Sequence, residues 1–220
     1  MKYKCLVLDH DDTVVKSTPT IHYPSFIEAM KVLRPELTPY TLEEFVNYCF
    51  DPGFDDLCRV ILKYTDDESS RQQEIWRRYT GSVIPQFYKG FSELISNFRA
   101  SGGYICVVSH SEKNRILRDY KKTLNIEPDM IFGWEGEAHQ RKPNPYPLEA
   151  IMRQFNLKRS ELLMVDDLKP GLDMARSCGI DFACAGWSHM IPSIVAYMRQ
   201  NSDYYFEDVN ALATLVLERQ

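Results

Sequence analysis

Short runs of aliphatic and β-branched residues alternate along the chain with amphipathic stretches of helical period, the pattern of a parallel sheet built from strand–helix–strand units. Strands are expected at Tyr3–Leu8, Tyr104–Val108, Met130–Trp134, Leu162–Val165 and Phe182–Ala185. Helices are expected at about Phe91–Arg99, Glu112–Leu124, Pro147–Phe155 and Pro170–Cys178. Gly102-Gly103 marks the turn into the second strand, and Gly179 follows the last helix as a C-cap does. The strands are apolar almost throughout, which predicts a sheet covered on both faces.

The first two strands lie roughly 95 residues apart, where a simple βαβ unit takes about 30. The intervening chain reads as helical, at Ser25–Leu33, Leu42–Cys49, Phe54–Tyr64 and Ser69–Ile84, and Thr41 with Glu44 forms a capping-box signature. The economical arrangement is a core of residues 1–16 and 88–220 with a helical insertion, residues 17–87, over the carboxyl edge of the sheet.

Composition changes this picture little. The chain has 220 residues, 44% hydrophobic and 26% charged, which is average for a globular protein and excludes fibrous repeats and disorder. Its net charge of −5 gives no electrostatic reason to expect nucleic acid or a membrane surface as partner. The apolar run Cys5-Leu6-Val7-Leu8 is too short for a signal-peptide core or a membrane span. The six cysteines show no metal-ligand spacing, and several lie in strand-like runs, as free thiols of a cytoplasmic protein would.

The candidate chemistry gathers at strand ends. Asp9-His10-Asp11-Asp12-Thr13 directly follows the first strand, where ligands of parallel sheets collect. Residues two apart on an extended chain point the same way, so Asp9 and Asp11 can converge, and two such carboxylates call for a compensating cation. Ser109 ends the second strand, Asp166 and Asp167 end the fourth, and Lys142 lies before a helix in Arg141-Lys142-Pro143. Each also has a plain reading: the acids and Ser109 as helix N-caps, Lys142 as a solvated side chain. Four such sites along one sheet edge argue for a shared purpose.

These residues resemble the four motifs of the haloacid dehalogenase-like phosphatases. Asp9-His10-Asp11-Asp12-Thr13 is similar to its D-x-D-x-T, Ser109 to the second motif, Lys142-Pro143 to the third, and Val165-Asp166-Asp167 with Pro170-Gly171 to the acidic fourth. The order and spacing agree from Tyr3 to about Asp208, the tail Asp203-Tyr204-Tyr205-Phe206 included. The resemblance implies an α/β fold: a Rossmann-like three-layer core with strand order 5-4-1-2-3 and an inserted α-helical cap, of the type found in phosphoglycolate phosphatases and β-phosphoglucomutases. Asp12 stands where close relatives have Gly, and Lys16-Ser17 where an Asp-Ser pair is usual.

The same resemblance implies roles. Asp9 is the nucleophile that takes the phosphoryl group, and Asp11 the acid and base that serves leaving group and water. Mg²⁺ is held by Asp9, Asp167 and the Asp11 carbonyl, with Asp166 in or beside that shell. Ser109 and Lys142 contact the phosphoryl oxygens, as substrate-binding and catalytic groups. Dehalogenase or phosphonatase chemistry would not retain an acid at Asp11. In the cap, Asp51-Pro52-Gly53-Phe54-Asp55-Asp56 falls at the specificity loop, with Phe54 as an apolar contact and Arg59 as the substrate anchor. The expected reaction is Mg²⁺-dependent hydrolysis of a small phosphate monoester, with a phosphomutase or a catalytically silent module as the alternatives. His10, His110, Trp134 and Trp187 are given no role beyond packing at an entrance wall.

Overall fold

The structure is a computed structural model describing residues 1–218. The chain forms two compact units, Met1–Val15 with Phe87–Gln220, and Lys16–Gln86. It opens with β1 (Cys5–Leu8), whose four residues are all buried. It leaves the first unit through β2 (Val15–Lys16) and returns through β3 (Gln86–Phe87), and these two short strands pair.

The inserted unit is helical, with α1 (Tyr23–Leu33), α2 (Leu42–Phe50), the single turn α3 (Phe54–Asp56) and α4 (Asp66–Ser82). Buried Ser25, Phe26, Ala29 and Met30 make one stripe of α1, which packs on α4. The capping box at Thr41 and Glu44 forms, and a second, at Thr65 and Glu68, starts α4. Arg34 at the end of α1 donates two hydrogen bonds to Glu68, at 2.6 and 3.0 Å. The helix expected over Phe54–Tyr64 forms over Phe54–Ile61, but only its first turn is α-helical. A wide π-helical turn, Leu57–Ile61, follows α3, and Lys63 ends it at φ 52°. The wider turn aligns residues five apart, which brings Leu57 and Leu62 inward together.

In the first unit β4 (Tyr104–Val108), β5 (Met130–Phe132), β6 (Leu162–Asp166), β7 (Asp181–Ala185) and β8 (Tyr204–Phe206) join β1 in a parallel sheet of order β5-β4-β1-β6-β7-β8. The expected five-strand order is contained in it, and β8 extends the sheet beyond β7. Six helices accompany these strands: α5 (Phe91–Ala100), α6 (Lys113–Leu124), α7 (Tyr146–Phe155), α8 (Lys169–Cys178), α9 (Pro192–Asn201) and α10 (Val209–Leu217). Leu6, Leu8, Ile105, Val107, Leu163 and Val165 form one apolar core with residues of α5, α6 and α10. Intervening positions such as Met164 and Phe182 point the other way, and α8 lies against β6 and β7. Each fully buried leucine of β1 contributes about 1.5–3 kcal/mol. Gly179, at φ 63°, ends α8 as its C-cap.

The register decides where the chemistry stands. Leu8 is level with Val107 of β4 and with Val165 of β6. Asp9 and Asp166 therefore emerge side by side, with Ser109 one residue further on, just past β4.

Candidate active site

Asp9 follows β1 directly, and its N–H donates to the Val165 carbonyl at 2.9 Å. Ser109 follows β4 and its N–H donates to the Phe132 carbonyl at 3.0 Å, while Asp166 is the last residue of β6. Sheet hydrogen bonding thus seats these residues along the carboxyl edge. Asp9, Ser109, Asp166 and Asp167 are all buried. None of them caps a helix: Glu112 is the N-cap of α6 and Leu168 that of α8. Lys142 follows a short 3₁₀ turn at Ala138–Gln140, and it is buried too. Its ammonium donates to Asp9 Oδ1 at 2.8 Å and to Asp166 Oδ2 at 2.6 Å.

Asp11 takes a different partner, since its Oδ2 accepts from the Ser111 hydroxyl. The chain turns tightly around Asp11, with the N–H groups of Val14 and Val15 both donating to the His10 carbonyl at 3.0 Å. Ser111 was not singled out by the sequence, though its N–H also donates to Ser109 Oγ at 3.1 Å. Its position two residues after a strand-end serine is the one signal that pointed to it.

Burial pushes Asp9 well above the usual carboxylate range, against the pull of the Lys142 charge. Burial likewise lifts Asp166 to about 6, with Lys142 opposing and Asp167 adding to the rise. Burial also disfavours charge on Lys142, but the Asp166 and Asp9 carboxylates outweigh it and hold the lysine protonated. One ammonium between two carboxylates, with Asp167 beside them, leaves a surplus of negative charge. The Asp9, Asp166 and Asp167 oxygens lie within 4.8 Å of one another. Hard oxygen donors with excess negative charge suit a small divalent cation such as Mg²⁺.

Asp167 has two further partners. Thr13 Oγ1 donates to its Oδ1 at 3.1 Å, and His189 Nε2 donates to its Oδ2 at 2.6 Å. Burial works against a charged His189, but Asp167, Asp12 and Asp166 outweigh it and raise its pKa. His189 lies past the end of β7, a strand whose end carried no recognised motif.

The aromatic and histidine residues thought of as entrance packing have defined partners. His10 is inside the protein, 2% exposed, with its Nε2 3.2 Å from Asp119 Oδ2. Trp187 donates its indole N–H to the Thr13 carbonyl at 3.0 Å. His110 donates Nε2–H to the Lys142 carbonyl at 3.1 Å and meets Trp134 edge-on. Burial, with the nearby Lys142 charge, pushes His110 down to about 4. Arg59 belongs to the inserted unit, where its guanidinium pairs with Asp66 at 3.2 Å.

A doubly covered parallel sheet thus carries at its carboxyl edge a cluster of aspartates around one buried lysine, the arrangement of an α/β protein whose site lies at its strand ends. The chain belongs to the haloacid dehalogenase-like hydrolase family, whose pattern it matches over residues 6–185. Among curated proteins it is 22% identical to one named pyrophosphatase PpaX from Caldanaerobacter subterraneus, over 98% of this chain and 96% of the relative. It is 20% identical to a phosphoglycolate phosphatase from Vibrio vulnificus, over 80% of each chain. Its fold matches that of CbbY from Rhodobacter sphaeroides, solved with phosphate, at a TM-score of 0.73 and 15% identity over 94% of both chains. Among the described residues no helix is long and apolar enough to cross a membrane.

Proposed function

We propose that this chain is a phosphatase that hydrolyses a small phosphate monoester, of the phosphoglycolate or simple sugar phosphate type, by way of a phosphoryl group carried on Asp9. The observation that supports it best is the Lys142 ammonium between Asp9 and Asp166. It fixes positive charge beside a carboxylate nucleophile, where negative charge develops on the transferring oxygens. Asp9 attacks phosphorus and the bond to the leaving oxygen breaks, with Asp11 giving that oxygen its proton. Asp11 then takes a proton from water as the water oxygen attacks the phosphoryl group, which frees Asp9. Ser109 and Lys142 hold the phosphoryl oxygens in both steps. Asp9, Asp166 and Asp167 with the Asp11 carbonyl would hold Mg²⁺, whose charge, when bound, offsets that of the phosphoryl group.

In this reading the inserted helices, residues 17–87, act as the cap that selects the leaving group, with Arg59 as its candidate anchor. The free thiols of all six cysteines fit a cytoplasmic setting. The test is phosphate release from a panel of monoesters, with pyrophosphate included because of the PpaX relative, in Mg²⁺ and in EDTA. Release from a small monoester that EDTA and Asp9→Asn both abolish supports the reading; release that survives either overturns it.

A further inference from the structure

The His189 imidazole stands on the same carboxylate as the proposed Mg²⁺ site, and the phosphoryl-transfer steps proposed above give it no role. A third group joins it: ligand atoms of Asp12, Asp167 and His189 all lie within 4.8 Å of one another. Asp12 and Asp167 are both 4% exposed. The loops that carry these residues are tied together, because Ser188 donates its hydroxyl to the Asp12 carbonyl and Trp187 its N–H to the Thr13 carbonyl. A small pocket opens beside them, lined in part by Asp167, Cys184, Gly186, His189 and Tyr205.

We propose that Asp12, Asp167 and His189 form a second cation site, which takes a borderline transition-metal ion such as Co²⁺, Ni²⁺ or Zn²⁺ in preference to Mg²⁺. Ligand atoms about 2.0–2.2 Å from an ion stand at most about 4.4 Å apart, so small side-chain rotations close this group on one. Two carboxylates and an imidazole nitrogen are a mixed set, and the nitrogen favours the later first-row ions over magnesium. When the ion binds, the Nε2 hydrogen that faces Asp167 leaves to solvent, the lone pair it frees goes to the metal, and the ring keeps its hydrogen on Nδ1. The site shares only Asp167 with the Asp9 cluster, and it does not depend on the phosphatase reading.

The probe is Co²⁺ added to the metal-free full chain and followed by proton NMR. An imidazole bound through Nε2 gives one strongly shifted, solvent-exchangeable resonance from its Nδ1–H. The expected result is that resonance in the wild type and in Asp9→Asn, its loss in His189→Ala, and at least tenfold weaker Co²⁺ binding by that variant in equilibrium dialysis. Should His189→Ala not fold, His189→Gln replaces it. Absence of the resonance from the wild type, its persistence in a folded His189 variant, or its loss in folded Asp9→Asn would each overturn the proposal.

Discussion

Lys142 Nζ and Asp9 Oδ1 stand 2.8 Å apart inside the protein, the two side chains 6% and 7% exposed. Asp166 holds the other side of the same ammonium at 2.6 Å. An ion pair this deep exists only because each charge compensates another. Its members therefore report on both stability and chemistry.

Lys142→Ala leaves two buried carboxylates facing each other. Removing one partner of a buried pair costs about 3–5 kcal/mol, so thermal unfolding of the variant should fall steeply. Saturating Mg²⁺ should restore part of the loss, while kcat stays lower by about 100-fold or more. A variant of wild-type stability and activity would remove the lysine from the site.

The two acids of the first motif should separate by leaving group. An alkoxide needs a proton far more than a nitrophenolate does. Asp11→Asn should accordingly slow transfer from an alkyl phosphate more than from nitrophenyl phosphate, measured in a single turnover. Ser111→Ala removes the hydroxyl that donates to Asp11 and should produce a weaker effect of the same sign. Equal slowing of both substrates by Asp11→Asn would count against the acid role.

Gly171 lies in α8 with the Asp166 carboxylate directly over it, where a Cβ would overlap the side chain. Gly171→Ala should push Asp166 from Lys142 and weaken Mg²⁺ binding, read by calorimetry, before it lowers the unfolding temperature. Unchanged Mg²⁺ affinity would show that Asp166 stands outside the metal site.

The pKa of His110 falls to about 4 in the fold, while an unfolded histidine titrates near 6.5. The unfolded chain thus binds a proton that the native one refuses, so stability drops as pH falls from about 6.5 towards 4. Above that window the contribution is level. The His110 ring resonances should show no titration between pH 5 and 8, and His110→Gln should flatten the stability slope below pH 6.5. A ring midpoint near 6.5 would contradict the assigned cause.

Much of this was legible in the sequence because it rests on local patterns. Five apolar runs became strands of the sheet, and Thr41 with Glu44 became a working cap. β8 was missed because Tyr204-Tyr205-Phe206 is short and only half buried, so it lacks the apolar run that betrays a covered strand. The helix expected over Phe54–Tyr64 widens after its first turn and stops at Ile61, a change of helix type that goes with the burial of both Leu57 and Leu62 and that local propensity does not encode. Strand ends named Asp9, Ser109, Asp166 and Asp167, but partners brought from afar are invisible to spacing. His189 on Asp167, 22 residues apart, and His10 on Asp119, 109 apart, arise only from the fold.

The account stands or falls with the bond that Asp9 forms. Acid quench of the enzyme during turnover of a radiolabelled monoester with Mg²⁺, followed by digestion and mass spectrometry, reads that bond directly. It should yield one acid-stable, alkali-labile phosphoryl group on the peptide that contains Asp9, missing in Asp9→Asn. Phosphoryl transfer with no labelled protein, or with the label on another residue, would contradict it.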